Sequence, residues 1–290
     1  MFTMSKEGIE HHQIPLIGLG TFKLRTNENK ETVYNVLDVA ISCGYRLFDT
    51  ASCYRNEKDI GDALQKLYIK HNISRGDIYI TSKLAPKDMT YEKTLQSCTQ
   101  SIADLQCTYL DYYLIHWPGR AKLKPEDDQH ISARKEVWCA MQELKSKGLV
   151  RNIGVSNFTI KHLDELLSYG GVKPMLNQVE FHVHLAQKEL LQYCQLNGIL
   201  LQSYSSLGTG LLLNDPVVTE IAEKNNRTPA QILLKWVLQQ GVSVIPKSTN
   251  GEHIASNFSL NDFCIEDDDM DRLFQLNIDK HYCWDPAKIV

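Results

Sequence analysis

Short apolar runs alternate along the chain with stretches in which apolar residues recur every three or four positions, a rhythm that predicts strand, helix, strand from residue 16 to about 257. Strands are expected over 16–21 (LIGLGT), 47–51 (LFDTA), 78–84 (IYITSKL), 110–116 (LDYYLIH), 151–156 (RNIGVS), 176–181 (LNQVEF), 200–205 (LLQSYS) and 242–248 (VSVIPKS). Most are apolar or β-branched at their centres, as parallel strands covered on both faces require. Amphipathic helices are expected over 32–42, 91–104, 134–147 and 187–197. A further helix follows NRTP, with Thr228 as N-cap, Pro229 in the first turn and Gly241 just past the end.

Eight strand–helix units in about 240 residues predict a (β/α)8 barrel of the TIM type, whose functional groups gather at the C-terminal ends of the strands. The rival is a doubly wound sheet, which needs a switch point and usually a glycine loop for phosphate. The only candidate loop, GLGTFK at 18–23, has Lys23 where a third glycine would stand. Before Pro15, EGIEHHQI is expected to form a hairpin capping the bottom of the barrel, and the tail from about 259 to 290 to close over its mouth.

Composition narrows the class. With 43% apolar and 23% charged residues and no Gly/Ser-rich or Pro-rich linker, the 290 residues read as one globular barrel domain. A net charge of −4 without a long basic stretch argues against nucleic acid and anionic membrane as partners. No run approaches the roughly 18 apolar residues of a membrane span, and the N-terminus lacks a signal-peptide pattern, so a cytoplasmic location is expected. The eight cysteines form no C-x-x-C pair, which leaves free thiols as the default.

Polar residues concentrate where the strands end. Asp49 ends the second, Lys83 the third and His116 the fourth; Ser156 and Asn157 follow the fifth; Gln178 lies in the sixth; Tyr204 and Ser205 end the seventh; Lys247 and Ser248 end the eighth. In a barrel all converge on one mouth. Tyr54, five residues after Asp49, is a candidate proton donor: a neighbouring Lys83 ammonium would stabilise its phenolate and lower its pKa from about 10. Asp49 would pair with Lys83 and hold it in a site that disfavours buried charge. His116 would hydrogen-bond the substrate oxygen from the other side.

The set GLGT, FDTASCYRNE, TSKL, YYLIHWP, GVSNF, NQVEFH, QSYSSLG and IPKS, in that order and followed by the YCWDP tail, resembles the aldo-keto reductase superfamily over nearly the whole chain. The resemblance implies a cytosolic (β/α)8 oxidoreductase, expected to be a monomer, that transfers hydride from NADPH to a small-molecule aldehyde or ketone. It makes Tyr54 the general acid, Lys83 and Asp49 its tuning partners, and His116 the orienting group. It places Tyr204 against the nicotinamide, with Ser156, Asn157 and Gln178 on its carboxamide. Asp49 borders the cofactor; Thr21, Ser205, Leu207 and Gly208 line ribose and pyrophosphate. Lys247, Ser248, Thr249 and Asn257 match the adenosine-phosphate site.

Two departures matter. His253 stands where the family commonly has an arginine on adenine and the 2′-phosphate, which predicts weaker discrimination against NADH. Phe22 stands at a position that is often Trp, Trp117 is kept, and HWPGRAKLKPEDDQH is a short loop. This is similar to the branch with diketogluconate reductases and prostaglandin F synthases, and implies an open pocket of broad specificity bounded by Phe22, Tyr54, His116 and Trp117. His182 and His184, on the same side of an extended FHVH, lack a third ligand at suitable spacing, so no metal is expected. Cys53 is read as a packing residue. Two rivals remain: a lyase forming a Schiff base on Lys83, and a non-enzymatic NADPH-binding regulatory subunit.

Overall fold

The structure, a computed structural model, describes residues 14–24 and 31–290. Eight parallel strands follow one another in chain order around a single sheet: β1 (Leu19–Gly20), β2 (Leu47–Asp49), β3 (Tyr79–Leu84), β4 (Leu110–Ile115), β5 (Val150–Ser156), β6 (Leu176–Glu180), β7 (Leu200–Tyr204) and β8 (Ser243–Val244). A parallel bridge between Ile17 and Val244 joins the last strand to the first, with the Gly18 and Val244 amides each donating at 2.8 Å across it. The expected barrel is the observed one.

Helices cover the outside of the sheet: α1 (Glu31–Cys43), α2 (Glu57–His71), α3 (Tyr91–Asp104), α4 (Gln129–Ser146), α5 (Ile160–Ser168), α6 (Lys188–Asn197), α7 (Pro216–Lys224) and α8 (Pro229–Gln239). Two more, α9 (Gly251–Phe258) and α10 (Asp267–Phe274), follow β8. Thr228 caps α8 as its sequence predicts, accepting from the Gln231 amide, and Gly241 turns the chain away with φ 76°. The helix expected over 134–147 starts earlier, at Gln129. The expected N-terminal hairpin lies outside the described residues.

The first and last strands are much shorter than their apolar runs. Pro246 has no amide hydrogen to continue the β8 ladder, although its carbonyl still accepts from Gly20 at 3.1 Å. A Cβ on Gly20 would stand 2.7 Å from the Ile245 carbonyl oxygen, so only glycine lets the two ends meet this closely. Apolar burial falls into two zones, as the alternation of a barrel strand dictates. Phe48, Ile80, Tyr113, Ile153 and Val179 face the helices; Leu47, Tyr112, Leu114, Leu176 and Ile245 fill the barrel interior.

Candidate active site

Above that interior the inward positions become polar. Lys83, on β3, and Asp49, at the end of β2, are both buried, and Lys83 Nζ donates to Asp49 Oδ1 at 2.5 Å. Nζ also donates to the Thr50 carbonyl at 3.0 Å and to the Tyr54 phenol oxygen at 3.4 Å. Tyr54 closes a one-turn 3-10 segment, Ser52–Tyr54, after which Arg55 turns in the left-handed region at φ 59°. The His116 ring meets Tyr54 edge-on at 5.7 Å between centroids. Four residues from three separate parts of the chain therefore form one cluster.

The loop carrying Tyr54 is held from behind. Asn56 Nδ2 donates to the Thr21 and Leu24 carbonyls at 2.9 and 3.0 Å, and its Oδ1 accepts from Thr50 at 2.9 Å. Thr21 Oγ1 donates to the Asp49 carbonyl at 2.9 Å. Glu57, in the first turn of α2, is buried and accepts from Ser82 at 2.5 Å and Ser101 at 2.9 Å. Asn56 and Glu57 thereby lock the end of β1, β3 and α3 around the tyrosine.

One electrostatic expectation is corrected. The Tyr54 phenol is not lowered: burial pushes it well above its ordinary value, with the Asp49 charge adding to the rise. The cause is geometric, because Lys83 is closer to Asp49 than to the phenol, and the carboxylate offsets its charge. His116 moves the other way, held well below its ordinary value by burial and then by Lys83, so the imidazole is neutral. Cys53 is not mere packing: it is exposed, and its Sγ lies 3.5 Å from His116 Nδ1. Although the residue as a whole is exposed, its thiol is partly enclosed beside His116, and that desolvation raises its pKa, which opposes thiolate reactivity.

Across the mouth, the residues expected at a carboxamide are tied to one another. Ser156 Oγ donates to the Gln178 carbonyl at 2.8 Å, and Asn157 Nδ2 to the His116 carbonyl at 2.9 Å. Tyr204 donates to Asn157 Oδ1 at 2.6 Å. Gln178 Nε2 donates to Asp49 Oδ2 and to Gln202 Oε1, both at 2.7 Å, while its Oε1 receives no hydrogen bond among the described residues. Ser205 (φ 51°) and Gly208 (φ 55°) bend the chain tightly after β7, with Leu207 between them packed on the outer core. Lys247 and Thr249 are exposed beyond β8, Lys247 without an ion pair among the described residues. Ser248 and Asn250 bond each other before α9, where Asn250 caps the first turn, His253 is exposed and Asn257 is buried.

The tail does cross the mouth, on residues that sequence reading missed. Buried Glu180, at the end of β6, accepts from the Tyr282 amide at 2.7 Å and the Cys283 amide at 3.2 Å, and lies 3.0 Å from His281 Nδ1. Cys283 Sγ lies 3.5 Å from Ser205 Oγ, and Trp284, 83% exposed, faces Trp117 at 6.3 Å. Phe22 stands 5.0 Å from Tyr54, which completes an aromatic rim. The far end is pinned where the Val290 amide donates to Pro125 at 2.9 Å and His162 Nε2 meets the Ile289 carbonyl at 3.0 Å. A small cleft opens beside the tail, lined by Asn157, Thr159, Glu180, Gln187, Tyr204 and His281.

FHVH is not extended. It turns at 183–184, with His182 paired to Glu180 at 3.0 Å and His184 to the Tyr282 hydroxyl at 2.9 Å. Both imidazoles thus serve the tail. Among the described residues no group of three or more metal-ligand side chains occurs.

This constellation, on this barrel, defines the class: the chain belongs to the aldo/keto reductase family, whose pattern matches residues 16–278. It is 41% identical to "Glyoxal reductase" of Bacillus subtilis over 100% of both chains. Among solved structures it resembles the aldose reductase of Schistosoma japonicum, at TM-score 0.84 and 34% identity over 93% of this chain and 91% of that one. It also resembles a Bombyx mori aldo-keto reductase in complex with NADP, at TM-score 0.85 and 29% identity over 93% and 91%.

Proposed function

We propose that this protein reduces aldehydes and ketones to alcohols with NADPH, using Tyr54 as the acid that protonates the carbonyl oxygen. The observation that carries this reading is the Asp49–Lys83–Tyr54–His116 cluster, with a phenol that burial keeps protonated. NADPH, when bound, supplies the hydride that reduces the carbonyl carbon. Tyr54 gives its proton to the oxygen, and Lys83 stabilises the phenolate left behind. His116, neutral, donates a ring N–H hydrogen bond to the same oxygen and leaves the proton transfer to Tyr54.

The chain's own groups fit such a cofactor. Gln178 Oε1 is an unclaimed acceptor for a carboxamide, with Ser156, Asn157 and Tyr204 at the adjoining strand ends. Lys247 is an exposed cation ahead of the first turn of α9, suited to a phosphate. The Bombyx mori relative is itself an NADP complex. A Schiff-base role for Lys83 is disfavoured, since its Nζ is buried and committed to Asp49 and Thr50. The exposed rim of Phe22 and Trp284 favours a broad range of small carbonyl compounds, and the glyoxal reductase relative puts 1,2-dicarbonyls first.

The reading is tested by following NADPH oxidation with a panel of dicarbonyls, aldehydes, ketones and quinones, with Tyr54→Phe alongside. Loss of about 10² to 10⁴ in rate for the variant is expected. A parent that oxidises no NADPH with any of them, or a variant as fast as the parent, rejects it.

A further inference from the structure

Gln202 lies on β7, fully buried, one strand away from Gln178 on β6 and directly opposite it in the register. Its Oε1 accepts from Gln178 Nε2 at 2.7 Å, and the same nitrogen donates to Asp49 Oδ2 at 2.7 Å. An amide nitrogen carries two hydrogens, so both are spent. An ionised carboxylate only accepts, so Asp49 requires the nitrogen of Gln178 on its side, and Gln202 takes the second hydrogen in the same orientation. Gln202 Nε2 has no partner among the described residues, which leaves Oε1 as the one directed contact of this side chain.

We propose that Gln202 is a positioning residue: by consuming the second N–H of Gln178 it leaves that residue purely an acceptor at the mouth, so the protein selects a cofactor whose ring substituent donates an N–H. The inference rests on the NADPH reading above, which puts Gln178 at the carboxamide. A nicotinamide carboxamide meets the requirement through its NH2. The 3-acetylpyridine analogue does not, because its acetyl group has an acceptor oxygen and no donor. With Gln202 removed, the freed N–H of Gln178 can turn to meet that acetyl oxygen.

The test measures dissociation constants of NADPH and of reduced 3-acetylpyridine adenine dinucleotide phosphate by quenching of tryptophan fluorescence. It uses the parent, Gln202→Met and Gln202→Glu. The parent is expected to prefer NADPH by about tenfold, the worth of one buried hydrogen bond. Gln202→Met should cut that ratio at least about threefold, and Gln202→Glu, which keeps an acceptor oxygen, should restore most of it. A merely structural role weakens both cofactors together, so an unchanged ratio in Gln202→Met overturns the proposal, as do equal affinities in the parent. Absence of saturable NADPH binding to the parent instead rejects the cofactor reading itself.

Discussion

Lys83 Nζ stands 2.5 Å from Asp49 Oδ1 and 3.4 Å from the Tyr54 phenol oxygen, so the lysine belongs first to the carboxylate and second to the acid. Both members of the pair are buried, and removing one strands the other. Lys83→Met is therefore expected to cost about 3 to 5 kcal/mol of stability, the usual penalty for breaking a buried pair. Asp49→Asn combined with Lys83→Met should cost less than the sum of the single changes by more than about 1 kcal/mol. Urea unfolding of the four proteins checks this; additive losses would mean the two side chains do not depend on each other.

Activity should be insensitive to pH over an unusually wide range. Tyr54 is held well above the ordinary phenol value and His116 well below the ordinary imidazole value, both chiefly by burial. The acid stays protonated until the solution is strongly basic, and the imidazole stays neutral until it is strongly acidic. We expect kcat/KM to vary less than about threefold between roughly pH 5 and 10.5, the ends of which would cost an unperturbed histidine about thirtyfold and an unperturbed tyrosine about fourfold. An acid limb near about pH 6.5 would show His116 titrating normally.

What the sequence revealed, and what it hid, follows from how each contact is encoded. Asp49, Lys83 and His116 sit at the ends of apolar strands, so periodicity alone places them at one mouth. Tyr54 follows from its distance beyond Asp49. The ends of β1 and β8 are not legible, because pairing there depends on the close approach of Gly20 to Ile245 and on Pro246 rather than on hydrophobicity. Nor is the grip of Glu180 on Tyr282 and Cys283, which joins residues more than one hundred positions apart through main-chain amides that carry no side-chain signature. The Tyr54 pKa reversed for a related reason: residue types name the neighbours, but only distances decide whether Lys83 answers Asp49 or the phenol.

Glu180 is expected to govern the substrate side of the site through the tail. Its carboxylate, held below the usual range against the effect of burial by His182, the Tyr282 amide and His281, fastens the segment that brings Trp284 to Trp117. Glu180→Ala should raise KM for aromatic aldehydes by about tenfold, a hydrogen bond or more of lost positioning, with a smaller change in kcat. Hydrogen exchange at the Tyr282 and Cys283 amides should quicken by at least about tenfold. Unchanged exchange at both would show that the tail is held elsewhere.

Acid stability should report His162. Burial, then Arg134, lowers this histidine to about 4. It completes the cap of α5 by accepting from the Thr159 amide at 3.2 Å and meets Ile289 at 3.0 Å. Its folded value is depressed, so between about pH 6.5 and 4 the unfolded chain binds more protons than the folded one. Stability is full above about pH 6.5 and falls as pH drops through 4, by roughly 3 kcal/mol from this group. His162→Gln should be less stable at neutral pH yet lose less on acidification. Parallel stability curves for the two proteins, measured by urea unfolding from about pH 7 to 4, would assign the acid sensitivity to other groups.

Cofactor choice should be soft, and His253 is the reason. It is exposed on the first turn of α9, beyond Lys247 and Ser248, where a phosphate of the cofactor is proposed to lie. An imidazole cannot grip a phosphate with two parallel N–H groups as a guanidinium does. Lys247 alone then supplies the fixed charge. We expect kcat/KM to favour NADPH over NADH by less than about a thousandfold, roughly 4 kcal/mol. His253→Arg should raise the preference by about tenfold, chiefly through a lower KM for NADPH. Steady-state constants for both cofactors with both proteins decide it: a thousandfold preference in the parent, or no gain in the variant, would place the discriminating contact away from α9.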